Sequence, residues 1–393
     1  MVATVAAPNM VAYCDHNAST PLRPEVLDAM LPYLRAQYGN ASSVHAFGAR
    51  ARDAVETARQ HVAALIGAPS AEIVFTSGGT ESNNLAIRGA VRAAPQRAIV
   101  STPIEHASVR EVVRGLRAEG YEVREVPVDG AGRVDPAALA MRLDDGVALV
   151  SIGWANNEIG TIQPIEAIAA VCGARGLRLH VDAVQAAGKI PVPARGIDLL
   201  SLSAHKLGGP QGVGALLVRR NVALCPLFAG GGQERGHRPG TENVAGIVGM
   251  GEACRLVAAD LGGFGEACVA LREALWAGLQ AHISGIHRNS LADGDCLPNT
   301  LHVSVDGVRG EALVAALDLA GVAVSSGSAC AAGAGEASHV LLALGRSHEA
   351  ARDGVRFSLG RTNTHDEIER MVACTAAAVE RSRRARRTEC GHA

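Results

Sequence analysis

The residues at positions 72–81, EIVFTSGGTE, decide the fold. The first four, Glu72–Phe75, form a short apolar run typical of a strand, and Glu81 begins a helical pattern that continues to about Arg92. Gly78 and Gly79 lie at the junction, where backbone N–H groups of a helix N-terminus would point toward an anion. The spacing does not match a nucleotide triphosphate loop. An anion site and an ordinary tight turn are both compatible with this segment.

Outward from this stretch, apolar runs continue to alternate with helical patterns. Ala107–Ala118 and Ile165–Ala174 are two of the helical segments. Strand–helix alternation predicts an α/β fold with a mostly parallel sheet. Six further runs are expected to be strands: Ala98–Ser101, Glu122–Val128, Ala148–Trp154, Leu177–Val181, Leu199–Ser203 and Gly214–Val218.

After about Gly262 helical patterns dominate, and one predicted strand pair lies among them. We therefore expect an N-terminal extension (residues 1–15) that packs with a small domain, a large domain (16–262) and a small α+β domain (263–393). The helices predicted in the small domain are Glu266–Ala281, Gly310–Leu319, Ser338–Leu344 and Asp366–Ser382, and the strands are Thr300–Val305 and Val322–Ser325.

Composition excludes several classes of protein. The 393 residues carry a net charge of −2, and the one basic run, Arg381–Arg387, is short, so nucleic acid is not an expected partner. No apolar run is long enough to span a membrane, and the N-terminus does not resemble a signal peptide, so we expect a cytoplasmic protein. The nine cysteines are widely spaced without C-x-x-C, which predicts neither a zinc site nor a disulfide framework.

Lys206 is the first candidate for catalysis, because the chain has only two lysines, Lys189 and Lys206. Positions 201–210 read SLSAHKLGGP, an apolar strand that ends in Ser, His and Lys. A lysine at a strand end faces the crevice in which α/β proteins bind ligands, and burial there would lower its pKa and suit it to a Schiff base. An ordinary surface lysine on a turn is the alternative.

Polar residues at other strand ends fit an aromatic cofactor. Asp182, at the end of HVDAVQ (positions 180–185), could pair with a pyridinium nitrogen, and Gln185 could donate to a phenolic oxygen. His106 could stack on a ring and relay protons near neutral pH. Asn157 belongs to a similar cluster, WANNE, at positions 154–158.

Cys330 lies in SSGSACAAGAGE, positions 325–336, a segment made almost entirely of Gly, Ala and Ser. This composition predicts a loop with little side-chain surface to bury. An exposed cysteine is reactive where its thiolate is favoured. An incidental thiol on a surface loop is the alternative.

Taken together, the motifs resemble the cysteine desulfurases, in the pyridoxal phosphate (PLP) fold type I superfamily. Some seven motifs match in order and spacing, from DHNASTP at positions 15–21 to VRFSLGR at positions 355–361. The resemblance implies a mostly parallel seven-stranded sheet in the large domain. The segment SSGSAC resembles the class that hands sulfur to iron–sulfur scaffolds, and Trp154–Gly160 and His180–Lys189 look closest to its nitrogenase-associated branch.

The resemblance also implies a role for each candidate. Lys206 would carry PLP, Cys330 would receive the sulfur, and His106 would stack on the ring. Thr241 would reach the phosphate in a second subunit, which implies a homodimer. The implied cofactor-binding residues are Gly79, Thr80, His106, Asn157, Asp182, Gln185, Ser203, His205, Lys206 and Thr241, and the implied substrate-binding residues are Asn40, Asn157 and Arg356.

The implied reaction converts L-cysteine to L-alanine and leaves a persulfide on Cys330. An acceptor protein, such as an iron–sulfur scaffold, would take the sulfur for cluster assembly, with nitrogenase as one destination. The resemblance implies no resident metal, although Cys330 would transiently ligate a delivered iron–sulfur cluster. Two alternatives stay open at this point: another PLP enzyme of the same fold, such as a selenocysteine lyase, aminotransferase or epimerase, and a sulfur carrier without catalysis.

Overall fold

A computed structural model of the chain describes residues 12–292, 294–326 and 337–390. The strands are β1 (Ala12–Tyr13), β2 (Ile73–Thr76), β3 (Ala98–Ser101), β4 (Glu122–Glu125), β5 (Val147–Gly153), β6 (Leu179–Asp182), β7 (Leu199–Ser203), β8 (Gly214–Val218), β9 (Ile286–Arg288), β10 (Thr300–Val305), β11 (Val322–Ala323), β12 (Ser325–Ser326) and β13 (Gly354–Ser358). The α-helices are α1 (Pro24–Arg35), α2 (Ala46–Ile66), α3 (Gly79–Ala93), α4 (Ala107–Ala118), α5 (Pro136–Ala140), α6 (Ile165–Gly173), α7 (Val244–His282), α8 (Gly310–Leu319), α9 (His339–Ala343) and α10 (His365–Cys390).

The described residues fall into two compact units. The larger unit comprises Ser19–Asn156 and Ile162–Leu261. The smaller unit comprises Asn157–Thr161 and the described residues of Met1–Ala18 and Gly262–Ala393. The boundary between the two units falls inside the 39-residue helix α7. The segment Asn157–Thr161 belongs to the smaller unit, although the sequence analysis placed it in the large domain.

The larger unit is built on a seven-stranded sheet in the order β2-β8-β7-β6-β5-β3-β4. Only β8 is antiparallel to its neighbours, β2 and β7, and the other ladders are parallel. The prediction of an α/β fold with a mostly parallel seven-stranded sheet is confirmed. Each of the seven predicted runs forms a strand of this sheet.

Aliphatic side chains fill the core of the larger unit, as expected for a chain with 3% aromatic residues. Helices α3 and α4 pack together and against the sheet. Their buried positions recur at helical spacing, whereas β2, β3, β7 and β8 are buried at every residue, as is typical of strands covered on both faces. Core residues in this layer include Val74, Leu85, Val91, Ile99, Val109, Leu116, Leu149, Leu199 and Leu216.

The smaller unit has its own sheet and core. Four antiparallel strands lie in the order β12-β13-β10-β9, and β1 pairs in parallel with β11. The predicted strand Val322–Ser325 is therefore two short strands, which pair with different partners. Helices α7, α8 and α10 contribute to a core that includes Leu275, Leu279, Leu313, Leu317, Val355, Phe357, Ile368 and Met371.

Candidate active site

The parallel strands of the larger unit bring the predicted cofactor residues to one edge of the sheet. β6 ends at Asp182, β7 ends at Ser203, and His106 follows the end of β3. The carboxyl ends of parallel strands in α/β sheets are where ligands bind. This edge is therefore the candidate active site.

Lys206 is held by a tight turn directly after β7. Residues Ala204–Lys206 form one 3-10 turn, and the Leu207 and Gly209 amides both donate to the Ala204 carbonyl, at 2.8 and 3.0 Å. A side chain at Gly209 would lie 2.9 Å from that carbonyl oxygen, so the turn has room only for glycine there. Lys206 itself is half-buried.

Asp182 is the last residue of β6, which pairs with β7, the strand that precedes Lys206. Asp182 is 8% exposed. Its Oδ2 accepts a 2.7 Å hydrogen bond from Asn83 Nδ2, and its Oδ1 accepts one from the Val184 amide at 3.0 Å. Asn83 Nδ2 also donates to Ser108 Oγ, at 2.8 Å. These two donors fix the orientation of the buried carboxylate, which is the group that would pair with a protonated ring nitrogen.

Asn83 is a site residue that the sequence analysis missed. It is 1% exposed, on the first turns of α3, and its Oδ1 is buried without a hydrogen-bond partner among the described residues. The available signal was its position just after the segment EIVFTSGGTE, one turn after Gly79. Sequence alone does not show that this face of α3 meets the end of β6.

His106 caps the N-terminus of α4. Its Nδ1 accepts a hydrogen bond from the Ser108 amide at 3.1 Å and lies 2.8 Å from Ser108 Oγ. Because a backbone N–H can only donate, the proton of the neutral ring is on Nε2. Burial lowers the pKa of His106, as do the charges of Lys206 and Arg110, although Asp182 opposes them. His106 is therefore neutral at physiological pH.

Gln185 is fixed by the second lysine of the chain. Lys189 Nζ donates to Gln185 Oε1 at 2.6 Å and to the Gln185 carbonyl oxygen at 3.0 Å. Both residues are buried. The sequence analysis gave Lys189 no role, because only its distance along the chain from the SLSAHK motif was visible.

A glycine turn at the start of α3 forms a cradle suited to an anion. Gly78 is the N-cap residue of α3, has a φ of +154°, and leaves the helix without a side-chain cap. A Cβ added to Gly79 would lie 2.8 Å from Val184 and 3.7 Å from Ser203. Glu81 in the first turn is paired with Arg238 at 2.9 Å. An uncapped helix N-terminus with its acidic residue already neutralised is a favourable place for phosphate.

His205 and Thr80 are two further residues predicted to bind the phosphate. His205 Nδ1 is 3.2 Å from Ser19 Oγ, and its carbonyl oxygen accepts from Thr20. Burial, together with the charges of Lys206 and Lys189, lowers the pKa of His205 to about 4. Thr80 is exposed.

Glu105 and His180 form a buried polar layer beneath the site. Glu105 Oε1 accepts from Thr102 Oγ1 at 2.7 Å and from the Gly153 amide at 3.1 Å. Burial raises the pKa of Glu105 to about 7, a net shift in which the charge of Asp182 acts with burial and the Thr102 and Gly153 hydrogen bonds oppose it. His180 lies between Ser151 and Ser201, at 2.8 and 3.0 Å, and burial lowers its pKa to about 4.

The predicted carboxylate-binding residues Arg356 and Asn157 belong to the smaller unit. Arg356 is on β13 and is 2% exposed. Its Nη2 forms an ion pair with Asp15 Oδ1 at 2.7 Å, and its Nη1 donates to the Asn157 carbonyl oxygen at 2.9 Å. Arg356 Nε is buried and has no partner among the described residues. Asp15 is thus a second residue to which the sequence analysis gave no role.

The remaining predicted residues are exposed or are not described. Asn40 is exposed, and its Oδ1 accepts from the Ser42 amide at 2.9 Å. Thr241 is exposed in the loop before α7. The turn that precedes it contains Glu234, which has a φ of +46° and pairs with buried Arg59 at 2.7 Å. Cys330 lies outside the described residues.

The residues at the sheet edge fit PLP. They offer a lysine for the aldehyde, a buried carboxylate for the ring nitrogen and an anion cradle for the phosphate. The buried, unpartnered Asn83 Oδ1 indicates that this polar pocket is incomplete without a ligand or water. No group of three or more metal-ligating side chains occurs among the described residues. Likewise, no helix in the described part of the chain is long and apolar enough to cross a bilayer.

Comparisons with known proteins agree with this geometry. The model of the class-V aminotransferases matches residues 12–371. A cysteine desulfurase of Cereibacter sphaeroides is 48% identical over 377 residues, which cover 94% of this chain and 96% of that protein. The solved structure of a NifS-like protein superposes with a TM-score of 0.88 at 38% identity, and covers 94% of this chain and 99% of the other. A structure of SspA in complex with cysteine has a TM-score of 0.79 at 34% identity, with 88% and 98% covered.

Proposed function

The chain belongs to the class-V aminotransferase family, and we infer from this that it is a cysteine desulfurase, which removes sulfur from L-cysteine. The observation that carries the inference is the buried Asp182 carboxylate. It lies at the end of β6, which pairs with β7, the strand that leads into Lys206. Relatives named cysteine desulfurase support the choice of reaction over a selenocysteine lyase.

We propose PLP as the cofactor, attached to Lys206. Asp182 would bind the ring nitrogen, and His106 would stack on the ring. When bound, PLP supplies an electron sink for the pair left by a departing proton or group. The residues that would hold its phosphate are Gly79, Thr80, Ser203 and His205.

The chain's own groups divide the remaining tasks. Asn83 and the Val184 amide keep Asp182 an acceptor. Lys206 Nζ, once released from the cofactor, would take the α-proton of the substrate. His106 presents an Nε2–H at the same edge, because its Nδ1 is occupied by Ser108, so it can donate but not accept there.

Arg356 and Asn157 would bind the carboxylate of L-cysteine. A guanidinium grips a carboxylate through two N–H donors. The Asp15 ion pair fixes the Arg356 side chain and leaves Nε as an unused donor. Asp15 would thereby hold the guanidinium in position before the substrate arrives.

Cys330 would receive the sulfur as a persulfide and pass it to an acceptor protein, such as an iron–sulfur scaffold. We further propose a homodimer in which Thr241 contacts the cofactor phosphate of the second subunit. The exposure of Thr241 supports this role, as does the buried Arg59–Glu234 pair that fixes the preceding turn. A cytoplasmic location is proposed because Cys330 must be a free thiol to accept sulfur, and cytosolic thiols are kept reduced.

Purified protein loaded with PLP should convert L-cysteine to L-alanine, with sulfide released when a thiol is added. Lys206→Ala should abolish alanine formation. Cys330→Ala should abolish sulfur transfer to an acceptor, whereas Cys374→Ala, a control at another free cysteine, should not. A wild-type protein that binds PLP but forms alanine only from selenocysteine would contradict the proposed function.

The dimer is tested separately by sedimentation and by mixing variants. Lys206→Ala and Thr241→Ala homodimers should each have low activity. Subunit exchange should restore activity, because one of the two sites in the heterodimer then has both residues intact. No recovery despite proven exchange would contradict a shared site.

A further inference from the structure

Lys189 is a buried cation to which the proposed reaction gives no task. It lies in the turn after β6 and is 4% exposed. Burying an ammonium group is costly unless its donors are well satisfied. Its position therefore needs a reason beyond packing.

The contacts of Lys189 determine how the Gln185 amide is oriented. Nζ lies 2.6 Å from the Gln185 side-chain oxygen and 3.0 Å from its backbone oxygen. An ammonium group has three donors and no acceptor, so the amide atom that faces it must be the oxygen. The Gln185 Nε2 donors are consequently directed away from Lys189.

The turn that carries Lys189 packs directly on the turn that carries Lys206. Gly188 has a φ of +79°, and a Cβ there would lie 2.5 Å from the Leu207 side chain. The charges of Lys189 and Lys206 both act on His205, which lies between Ser203 and Lys206 in the chain. Lys189 therefore belongs to the buried residues that pack against the Lys206 turn of the candidate cofactor site.

We propose that Lys189 is a positioning residue, whose buried ammonium locks the Gln185 amide so that its N–H donor, and not its oxygen, faces the phenolic oxygen of PLP. The proposal rests on the proposed function. A donor at this oxygen stabilises its anionic form and weakens its hold on the proton of the neighbouring Lys206–cofactor linkage. Without Lys189 the amide loses the cation that holds its oxygen on the side away from that anion.

The test measures the pH titration of the visible absorption band of the PLP-loaded protein, which does not depend on turnover. Lys189→Met should raise the titration midpoint by about one to two pH units, because a hydrogen bond to a charged group is lost. Equilibrium dialysis should show weaker retention of PLP. Arg272→Met, which removes another buried cation from the smaller unit, should leave the midpoint unchanged.

A double-variant comparison separates positioning from a direct charge effect. In a Gln185→Leu background, Lys189→Met should move the midpoint by less than about 0.3 pH units, because the amide through which it acts is gone. A shift of the same size in both backgrounds would mean that the Lys189 charge acts on the cofactor directly, and would overturn the proposal.

Gln185→Glu tests the proposal even if Lys189→Met does not fold. This variant keeps an oxygen partner for Lys189 but replaces the N–H donor by an acceptor. The titration midpoint should therefore rise at least as far as the rise expected for Lys189→Met. An unchanged midpoint in Gln185→Glu would overturn the positioning role alone. A wild-type protein that takes up no PLP would instead overturn the proposed function, and the inference with it.

Discussion

At the scale of single residues, the Asn83 side chain holds the Asp182 carboxylate in position. A charge-assisted hydrogen bond contributes about 1.5–3 kcal/mol, and Asn83 donates one to Asp182 across 2.7 Å. Asn83→Leu should therefore weaken PLP binding about tenfold or more, as measured by equilibrium dialysis. The control is Asn84→Ala, since the Asn84 side chain bonds only its own helix, at the Thr80 carbonyl, among the contacts described. Equal losses in both variants would contradict the assigned role.

Asp15 supplies the counter-charge of buried Arg356. Asp15→Asn leaves a buried guanidinium without a charged partner, so it should lower the free energy of unfolding by about 2–3 kcal/mol. A ligand carboxylate should replace the missing charge. Added L-alanine should accordingly raise the melting temperature of Asp15→Asn more than that of the wild type. If L-alanine stabilises both proteins equally, Arg356 does not bind the carboxylate.

Glu105 makes stability depend on pH near neutrality. Its folded pKa of about 7 lies above the ordinary value of 4.5 because the side chain is buried. The native state therefore holds this proton more tightly, and the stabilisation present below pH 4.5 is lost as the pH rises through 7. Between pH 5 and 8 the wild type should lose about 2–3 kcal/mol relative to Glu105→Gln, measured by urea unfolding. Parallel pH profiles would show that Glu105 ionises normally.

At the scale of secondary structure elements, the strands of the large sheet were the most predictable. Runs such as Ala98–Ser101 and Gly214–Val218 are buried at every position, and so a continuous apolar run located them to the residue. The two-residue strands β1, β11 and β12 were not separately predicted, because two residues carry no detectable period. Their pairing depends on segments far apart in the chain.

Helix α7 differs most from its prediction. The predicted helix began at Glu266, but the helix in the structure runs from Val244 to His282 and passes through the cluster Gly262, Gly263 and Gly265. A glycine in a helix costs about 1 kcal/mol relative to alanine, and packing of the flanking turns outweighs that cost. Apolar residues on both sides of the cluster, including Cys254, Val257, Leu271 and Leu275, are buried.

Two glycines of α7 should respond oppositely to alanine. A Cβ at Gly262 meets nothing within 4 Å, so Gly262→Ala should raise the free energy of unfolding by about 0.5–1 kcal/mol. A Cβ at Gly278 would lie 2.6 Å from Val372, so Gly278→Ala should destabilise the protein. Denaturant unfolding measures both changes. A loss of stability in Gly262→Ala would show that the middle of α7 is not a regular helix.

At the scale of the whole molecule, the motifs identified the residues at the sheet edge. They did not identify the residues that hold the predicted site side chains in position. The roles of Lys206, Asp182 and His106 could be predicted from their residue types and their positions after strands. Asn83 and Asp15 act through contacts with residues 99 and 341 positions away, and no local pattern indicates such pairs. The division of the chain into two units, with Asn157–Thr161 in the smaller one, likewise depends on tertiary contacts.

The scarcity of lysine has an analytical consequence. A protease that cleaves only after lysine has two sites in the unfolded chain, Lys189 and Lys206, and should release three peptides. Borohydride treatment of the PLP-loaded protein would make the attachment to Lys206 permanent and block one site. Mass spectrometry should then show two peptides, the second beginning at Ile190 and heavier by the reduced cofactor. Recovery of a free peptide Ile190–Lys206 would place the attachment elsewhere.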